Sequence, residues 1–154
     1  MENNELIVKN DINAVENVKG TNKTVAKMFT TIDKENVKEI YNLENASCDY
    51  KVNDIKGQKL RVVDVLIKEF VRELDEPICN EQGEVIQEYD VKKVCILIDE
   101  NRKTYVTASK IFTNQMLSFI SNYGIDEIKK GLEIEIIEKP IKNSNNKALG
   151  FKLI

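Results

Sequence analysis

The 154-residue chain contains neither histidine nor tryptophan. Without histidine there is no Ser–His or Cys–His nucleophile pair, no imidazole metal ligand and no side chain whose ordinary pKa lies near neutrality. Carboxylate or lysine chemistry stays open, yet the commonest enzyme designs are gone. The reading is therefore a non-catalytic binding protein with no cofactor and no metal. Cysteine is limited to Cys48, Cys79 and Cys95, an odd number without CxxC spacing. That pattern argues against zinc and for free thiols in a reducing compartment, with Cys95 a buried, inert thiol in an apolar strand. No apolar run approaches the length of a membrane span. The opening Met1-Glu2-Asn3-Asn4-Glu5 lacks the apolar segment of a secretory leader. A cytoplasmic chain without membrane contact is expected.

Proline and glycine are scarce, at two and six residues, and 42% of the chain is hydrophobic. That is enough apolar material for one core and too much for a wholly disordered chain. Charge is abundant, at 32% of residues, but unevenly signed around a net of −3. The acidity peaks in Glu73, Asp75, Glu76, Glu81, Glu84, Glu88 and Asp90, a stretch without Lys or Arg. Such a stretch repels phosphate. Its plain reading is a solvated loop that carries charge for solubility.

Residues 1–30 are rich in Asn, Lys, Glu and Thr with isolated apolar residues, and read as a flexible polar tail with a short strand at Leu6-Ile7-Val8. Residues 31–56 read as a helix and linker. Asp33 can act as N-cap, and Val37, Ile40, Tyr41 and Leu43 or Glu44 follow at spacings of three and four, ending near Asn45. From Leu60 to Arg72 a β-branched run forms a first strand, too long to stay flat, so a bulge is expected near Val65–Ile67. Asp75-Glu76-Pro77 and Asn80-Glu81-Gln82-Gly83 punctuate a long acidic hairpin connection. Asp90–Ile98 is a second strand, Asp99–Lys103 a tight polar turn, and Thr104–Ala108 a third strand. Ser109 caps a helix whose Phe112, Met116, Phe119, Ile120 and Tyr123 share an apolar face before Gly124 stops it. Leu132–Ile136 alternates as a half-buried strand, Pro140–Lys147 is a polar loop, and Leu149–Leu153 is a fifth strand.

Five strands in that order, the first long and bent, with a helix between the third and fourth, suggest a mainly β (α+β) Greek-key barrel similar to the OB-fold. The resemblance extends to particular stretches. They are Thr31-Ile32-Asp33-Lys34-Glu35 leading a short helix and Asn45-Ala46, Gly57-Gln58-Lys59-Leu60-Arg61-Val62-Val63-Asp64-Val65, Tyr105-Val106-Thr107-Ala108-Ser109-Lys110 opening a helix, and Leu149-Gly150-Phe151-Lys152-Leu153. In order, spacing and composition this portion resembles the single-stranded DNA-binding proteins of bacterial viruses, especially those of low-GC Gram-positive hosts. The resemblance implies an OB-fold nucleic-acid-binding domain over 57–154, preceded by the helix and tail. It implies a protein of the host cell cytoplasm that coats and protects single-stranded DNA in phage-type replication or recombination. Single-stranded DNA is then the partner, with replication proteins and further copies of the chain as additional ones. Cellular proteins of this function end in an acidic tail and stack bases on tryptophan; this chain ends in a predicted strand and has no tryptophan.

Binding a single strand requires cations for the backbone and aromatic faces for the bases. Arg61, Lys68, Phe70 and Arg72 lie on the first predicted strand, Tyr89, Lys92 and Lys93 lead the second, and Arg102, Lys103 and Tyr105 surround the turn into the third. Lys142 and Lys147 flank the loop between the last two strands. The set Tyr89, Lys93, Arg102 and Tyr105 is the favoured one, because strands two and three face the ligand in OB-fold binders. It expects Tyr105 to point outward with Thr107, opposite Val106 and Ala108. Phe112, Phe119, Tyr123 and Phe151 read as core, and Phe70 as core or stacking. Two alternatives compete: an OB-fold protein–protein interaction module, favoured by the acidic balance, and a metal nuclease using Asp64, Asp90 and Asp99. The spacing of those three acids does not distinguish them from turn and strand-edge carboxylates.

Overall fold

The structure, a computed structural model, describes residues 24–154. The expected strand at Leu6–Val8 lies outside the described residues. In chain order the elements are β1 (Thr24–Thr30), α1 (Val37–Asn45), β2 (Tyr50–Lys51), a 3₁₀ turn (Val52–Ile55), β3 (Lys59–Cys79), β4 (Val85–Asp99), β5 (Thr104–Thr107), α2 (Lys110–Tyr123), α3 (Asp126–Lys129), β6 (Leu132–Pro140) and β7 (Lys147–Leu153). The chain is mainly β. The strands form one sheet in the order β2-β5-β4-β3-β6-β7, with β1 also on β3. Among the described residues no helix is long and apolar enough to cross a membrane.

Strand β3 organises the sheet because one of its edges serves two neighbours. Lys59–Val62 pairs with β6, and Leu66–Arg72 pairs with β1. Between these segments the register against β4 slips, from Val62 opposite Asp99 to Asp64 opposite Ile98, leaving Val63 as the extra residue. Such a bulge bends and twists a strand. The bend expected in the middle of the run is present, but at Val63 rather than at Val65–Ile67.

The sheet is not the closed five-stranded barrel that the sequence suggested. At one end, β5 is only four residues long and its outer edge is taken by β2 in parallel. At the other, the side-chain amide of Gln115 on α2 donates to the Phe151 carbonyl and accepts from the Phe151 N–H at 3.2 Å. That amide occupies the place a neighbouring strand would take.

Three further expectations are corrected. The last residues of the supposed tail, Thr24–Thr30, form β1, antiparallel to β3; Phe29 packs against the core and holds it there. The acidic segment is a two-stranded ribbon, not a loop, closed by a turn in which Asn80 and Gly83 (φ +80°) reverse the chain. Finally, α1 starts at Val37, because the Asp33 carboxylate is used one turn upstream to accept the Glu35 N–H at 3.0 Å. Of its expected apolar face, Ile40 is buried and Leu43 half-buried, while Val37 and Tyr41 stand in solvent. Helix α2 follows the sequence reading: the Ser109 hydroxyl accepts the Phe112 N–H at 3.2 Å and Gly124 (φ +89°) ends it. Phe112, Met116, Phe119 and Ile120 are buried, but Tyr123 is exposed at the helix end against Phe119.

Apolar residues fill both faces of the central strands. Val65, Ile67, Cys95 and Leu97 join α2, β6 and β7 in the larger core. Leu66, Ile96 and Ile98 pack with Ile32 and Ile40 in a smaller core under α1. Burial pushes the Cys95 thiol up to about 12, so it stays protonated and unreactive at neutral pH.

A buried carboxylate ties the additions to the sheet. Asp64 accepts from the Thr31 hydroxyl at 2.7 Å, from Arg102 at 2.8 Å and from Lys129 at 2.9 Å. Three separate segments therefore end on one side chain. Replacing Asp64 by Asn removes the charge while keeping the shape, and we expect a loss of about 2–4 kcal/mol in urea unfolding. Lys129→Ala removes a largely hydrated partner and should cost less than about 1 kcal/mol. Equal effects from the two substitutions would contradict Asp64 as the shared anchor.

Candidate functional site

The register places Leu66, Lys68 and Phe70 of β3 opposite Ile96, Val94 and Lys92 of β4, all on the α1 side of the sheet. Helix α1 covers only the Leu66–Ile96–Ile98 end of this face. Beyond Leu43 the chain lifts away and leaves a groove of about 600 Å³. Lys68, Phe70, Val94, Ile96 and Val106 line its sheet side, and the segment from Leu43 to Lys51 forms the wall. That wall is held in place by Asp49 and Thr104. The Asp49 N–H donates to the Thr104 hydroxyl at 3.0 Å, and the Thr104 N–H donates to the Asp49 carboxylate at 2.9 Å. The second bond holds the Asp49 carboxyl below the usual carboxylate range.

One aromatic ring, Phe70, lies on this face, while Tyr50 at the sheet edge turns its ring to the side of Tyr105. Phe70 is half-buried, with the Lys68 ammonium 5.2 Å from its ring centroid. Tyr50 is exposed and stacks on Tyr105 with centroids 5.2 Å apart and planes 21° apart. Lys51 is exposed beside Tyr50, and Lys92 is exposed opposite Phe70. The Lys68 ammonium also lies 3.3 Å from Glu44 on α1.

The favoured set Tyr89, Lys93, Arg102 and Tyr105 does not converge. Tyr105 is buried, only 8% exposed, and its hydroxyl donates to Asp99 at 2.8 Å. Burial first, and that bond second, raise the phenol above its ordinary value. The expectation of an outward Tyr105 and Thr107 is reversed, because Tyr105 faces the larger core, while Val106 is half-buried against the smaller one. Arg102 sits in the β4–β5 turn at φ +62° with its guanidinium on Asp64 and Glu39. Lys93 points to the opposite face from Lys92 and donates to Asn114 of α2 at 3.0 Å. Tyr89 pairs with Glu73 at the base of the acidic ribbon; burial, then Glu88 and Glu73, raise its phenol.

The remaining residues divide by partner. Arg61 is fixed by Glu133 at 3.1 Å, by Glu100 at 3.6 Å and by the Lys130 carbonyl, with its guanidinium over Gly131 (φ +99°), where a Cβ would collide. Arg72 is exposed, 3.8 Å from Asp90. Lys103 is exposed in the β4–β5 turn. Lys142 and Lys147 are exposed on the β6–β7 hairpin. Lys68, Phe70 and Lys92, all candidates from the sequence, are brought to one face, with Arg72 two residues beyond Phe70 on the same strand. Tyr50 and Lys51 were missed. An aromatic–lysine pair just after a helix was the available signal, hidden in a segment read as linker.

Among the described residues no three Asp, Glu, Cys or His side chains gather as a metal site. Asp64 is consumed by its three donors, and Asp90 faces Arg72. Asp99 accepts the Asn101 and Lys103 N–H groups and the Tyr105 hydroxyl. No protein-family model, curated protein or solved structure matches this chain.

Tyr105→Phe removes only the bond to Asp99, and the expected loss in thermal or urea unfolding is about 1–2 kcal/mol. Tyr105→Ala opens a core cavity and should cost about 3–5 kcal/mol. A Tyr105→Ala protein as stable as the parent would mean that the ring stands in solvent.

Proposed function

We propose that the chain is a non-catalytic single-stranded DNA-binding protein whose strand runs along the groove beside α1. The observation that carries this reading is the half-buried Phe70 under the Lys68 ammonium, in an open groove that Tyr50 and Lys51 flank. Bases stack on aromatic faces irrespective of sequence, and cations follow the backbone. Phe70 supplies the stacking face. Lys51, Lys92 and Arg72 supply charge, joined by Lys68 when a phosphate displaces Glu44.

Strand order supports an OB-like origin of the domain. The path β5-β4-β3-β6-β7, with α2 between β5 and β6, follows the strand order of that fold, and its ligand face is the sheet of the second and third barrel strands. Here those strands are β4 and β5, with β1, α1 and β2 as additions. Unpaired bases are the preferred partner, because a chain of net charge −3 has too little positive surface to hold duplex by counterion release. Coating of single strands in phage-type replication or recombination is the role we assign.

The test is fluorescence anisotropy with oligo-dT at two salt concentrations. Phe70→Ala should weaken binding by about 1–3 kcal/mol. Lys92→Ala should weaken it modestly and flatten the salt dependence by about one unit of slope or less. Equal affinity for a duplex of the same length, or no response to either substitution, overturns the reading.

A further inference from the structure

The chain carries an acidic hairpin and a second one whose tip is basic, beyond Glu133, Glu135 and Glu138 of β6. From Glu73 to Asp90 there are seven acids and no base; from Lys139 to Ile154 there are four lysines and no acid. The topology sets them at opposite ends of β3. The acidic ribbon continues β3 beyond Arg72. The basic hairpin continues β6 the other way, since β6 is antiparallel and Glu135 already pairs with Lys59 at the start of β3. Their tips therefore point away from each other along the sheet.

Both hairpins are ordered, with charge left over towards their tips. At the ribbon tip the Asn80 side chain accepts the Gln82 and Glu84 N–H groups at 3.0 and 2.9 Å, and the Asn80 N–H donates to the Glu84 carbonyl at 2.9 Å. Ile78, Val85 and Ile86 are 47%, 50% and 64% exposed there. Two-stranded ribbons are marginal alone in water, and exposed aliphatic strand ends favour association. Two such ribbons cannot pair with each other, because their acids repel. Among the described residues Glu81 and Glu88 on the ribbon, and Lys142 and Lys147 on the basic hairpin, make no ion pair.

We infer that the acidic β3–β4 ribbon of one copy docks on the basic β6–β7 hairpin of the next, giving a head-to-tail array. The contact is heterologous, so it propagates instead of closing into a two-fold dimer. It assigns Lys142 and Lys147 to protein rather than to DNA, and is independent of the groove.

Sedimentation velocity on the full chain, across a concentration series and at low and high salt, tests it. Wild-type protein should form a ladder of species that shrinks as salt rises. Glu81→Lys with Glu88→Lys, and separately Lys142→Glu with Lys147→Glu, should each weaken association by at least about tenfold, because the ribbon's charge falls from −7 to −3 and the hairpin segment's from +4 to 0. Mixing the two variants should restore pairing, since the unaltered ribbon of one meets the unaltered hairpin of the other. All four side chains are solvent-facing, so unchanged circular dichroism and melting will certify the fold. Wild-type protein that is monomeric at low salt, or a mixture that stays dissociated, overturns the inference. So does a hairpin variant that loses oligo-dT affinity while self-associating normally.

Discussion

Strands β3 and β4 are apolar on both faces, and the rest of the molecule is arranged around that demand. Leu66, Ile96 and Ile98 look one way while Val65, Ile67, Cys95 and Leu97 look the other. A sheet of this kind cannot leave either side to water. The larger core is covered by α2, β6 and β7. The other side needs a separate cover, which the segment from Thr31 to Cys48 provides. Burying an aliphatic side chain contributes about 1.5–3 kcal/mol. The five residues buried in the smaller core thus hold on the order of 10 kcal/mol, comparable to the whole net stability of a domain. Helix α1 contributes Ile40 to that core and packs Leu43 against its edge, so it is part of the fold.

That cover shapes the candidate site. Without α1, the faces of β4 and β5 on this side would be open along their length. Here α1 takes the Ile96–Ile98 end, so the open surface is displaced along β3 towards Phe70 and Lys68. Asp64 fixes the boundary, because Thr31 before α1 and Arg102 in the β4–β5 turn both end on its carboxylate. Asp49 and Thr104 fix the far wall. The groove is thus a gap between two anchored segments, rigid because both sides are hydrogen-bonded to the sheet.

The same two-sided burial decides what could be read from the sequence. Helix α2 was legible in detail, since its cap, its apolar spacing and its terminal glycine are local signals. The order of the five later strands was legible from runs and turns. Inside and outside on β5 were not: alternation assigns faces only when one side is wet, and neither side of Tyr105 and Val106 is. β1 was hidden because an edge strand added to an existing sheet needs few apolar residues of its own. The ribbon was mistaken for a loop because its acids lower the strand signal, although the backbone pairs well into it. For the site, Lys68, Phe70 and Lys92 were identified as types, but their convergence depends on a register that propensity does not carry. Tyr50 entered only when β2 paired in parallel with β5, a contact spanning fifty-five residues at Tyr50–Tyr105.

Charge is sorted along β3 rather than mixed over the surface. The basic hairpin extends past its beginning, the groove with its balanced Lys68–Glu44 pair lies near its middle, and the acidic ribbon forms its end. The net charge of −3 is the sum of regions of unlike sign. At distances beyond a Debye length of about 8–10 Å the ribbon's acids are screened from the groove at physiological salt. What remains local is decisive: the groove offers Lys51, Lys92 and Arg72 beside its Lys68–Glu44 pair. A single strand held there as proposed would be repelled by the ribbon beyond Arg72 and Tyr89. Its course would then run across the sheet towards β5 and β2, where Lys51 stands.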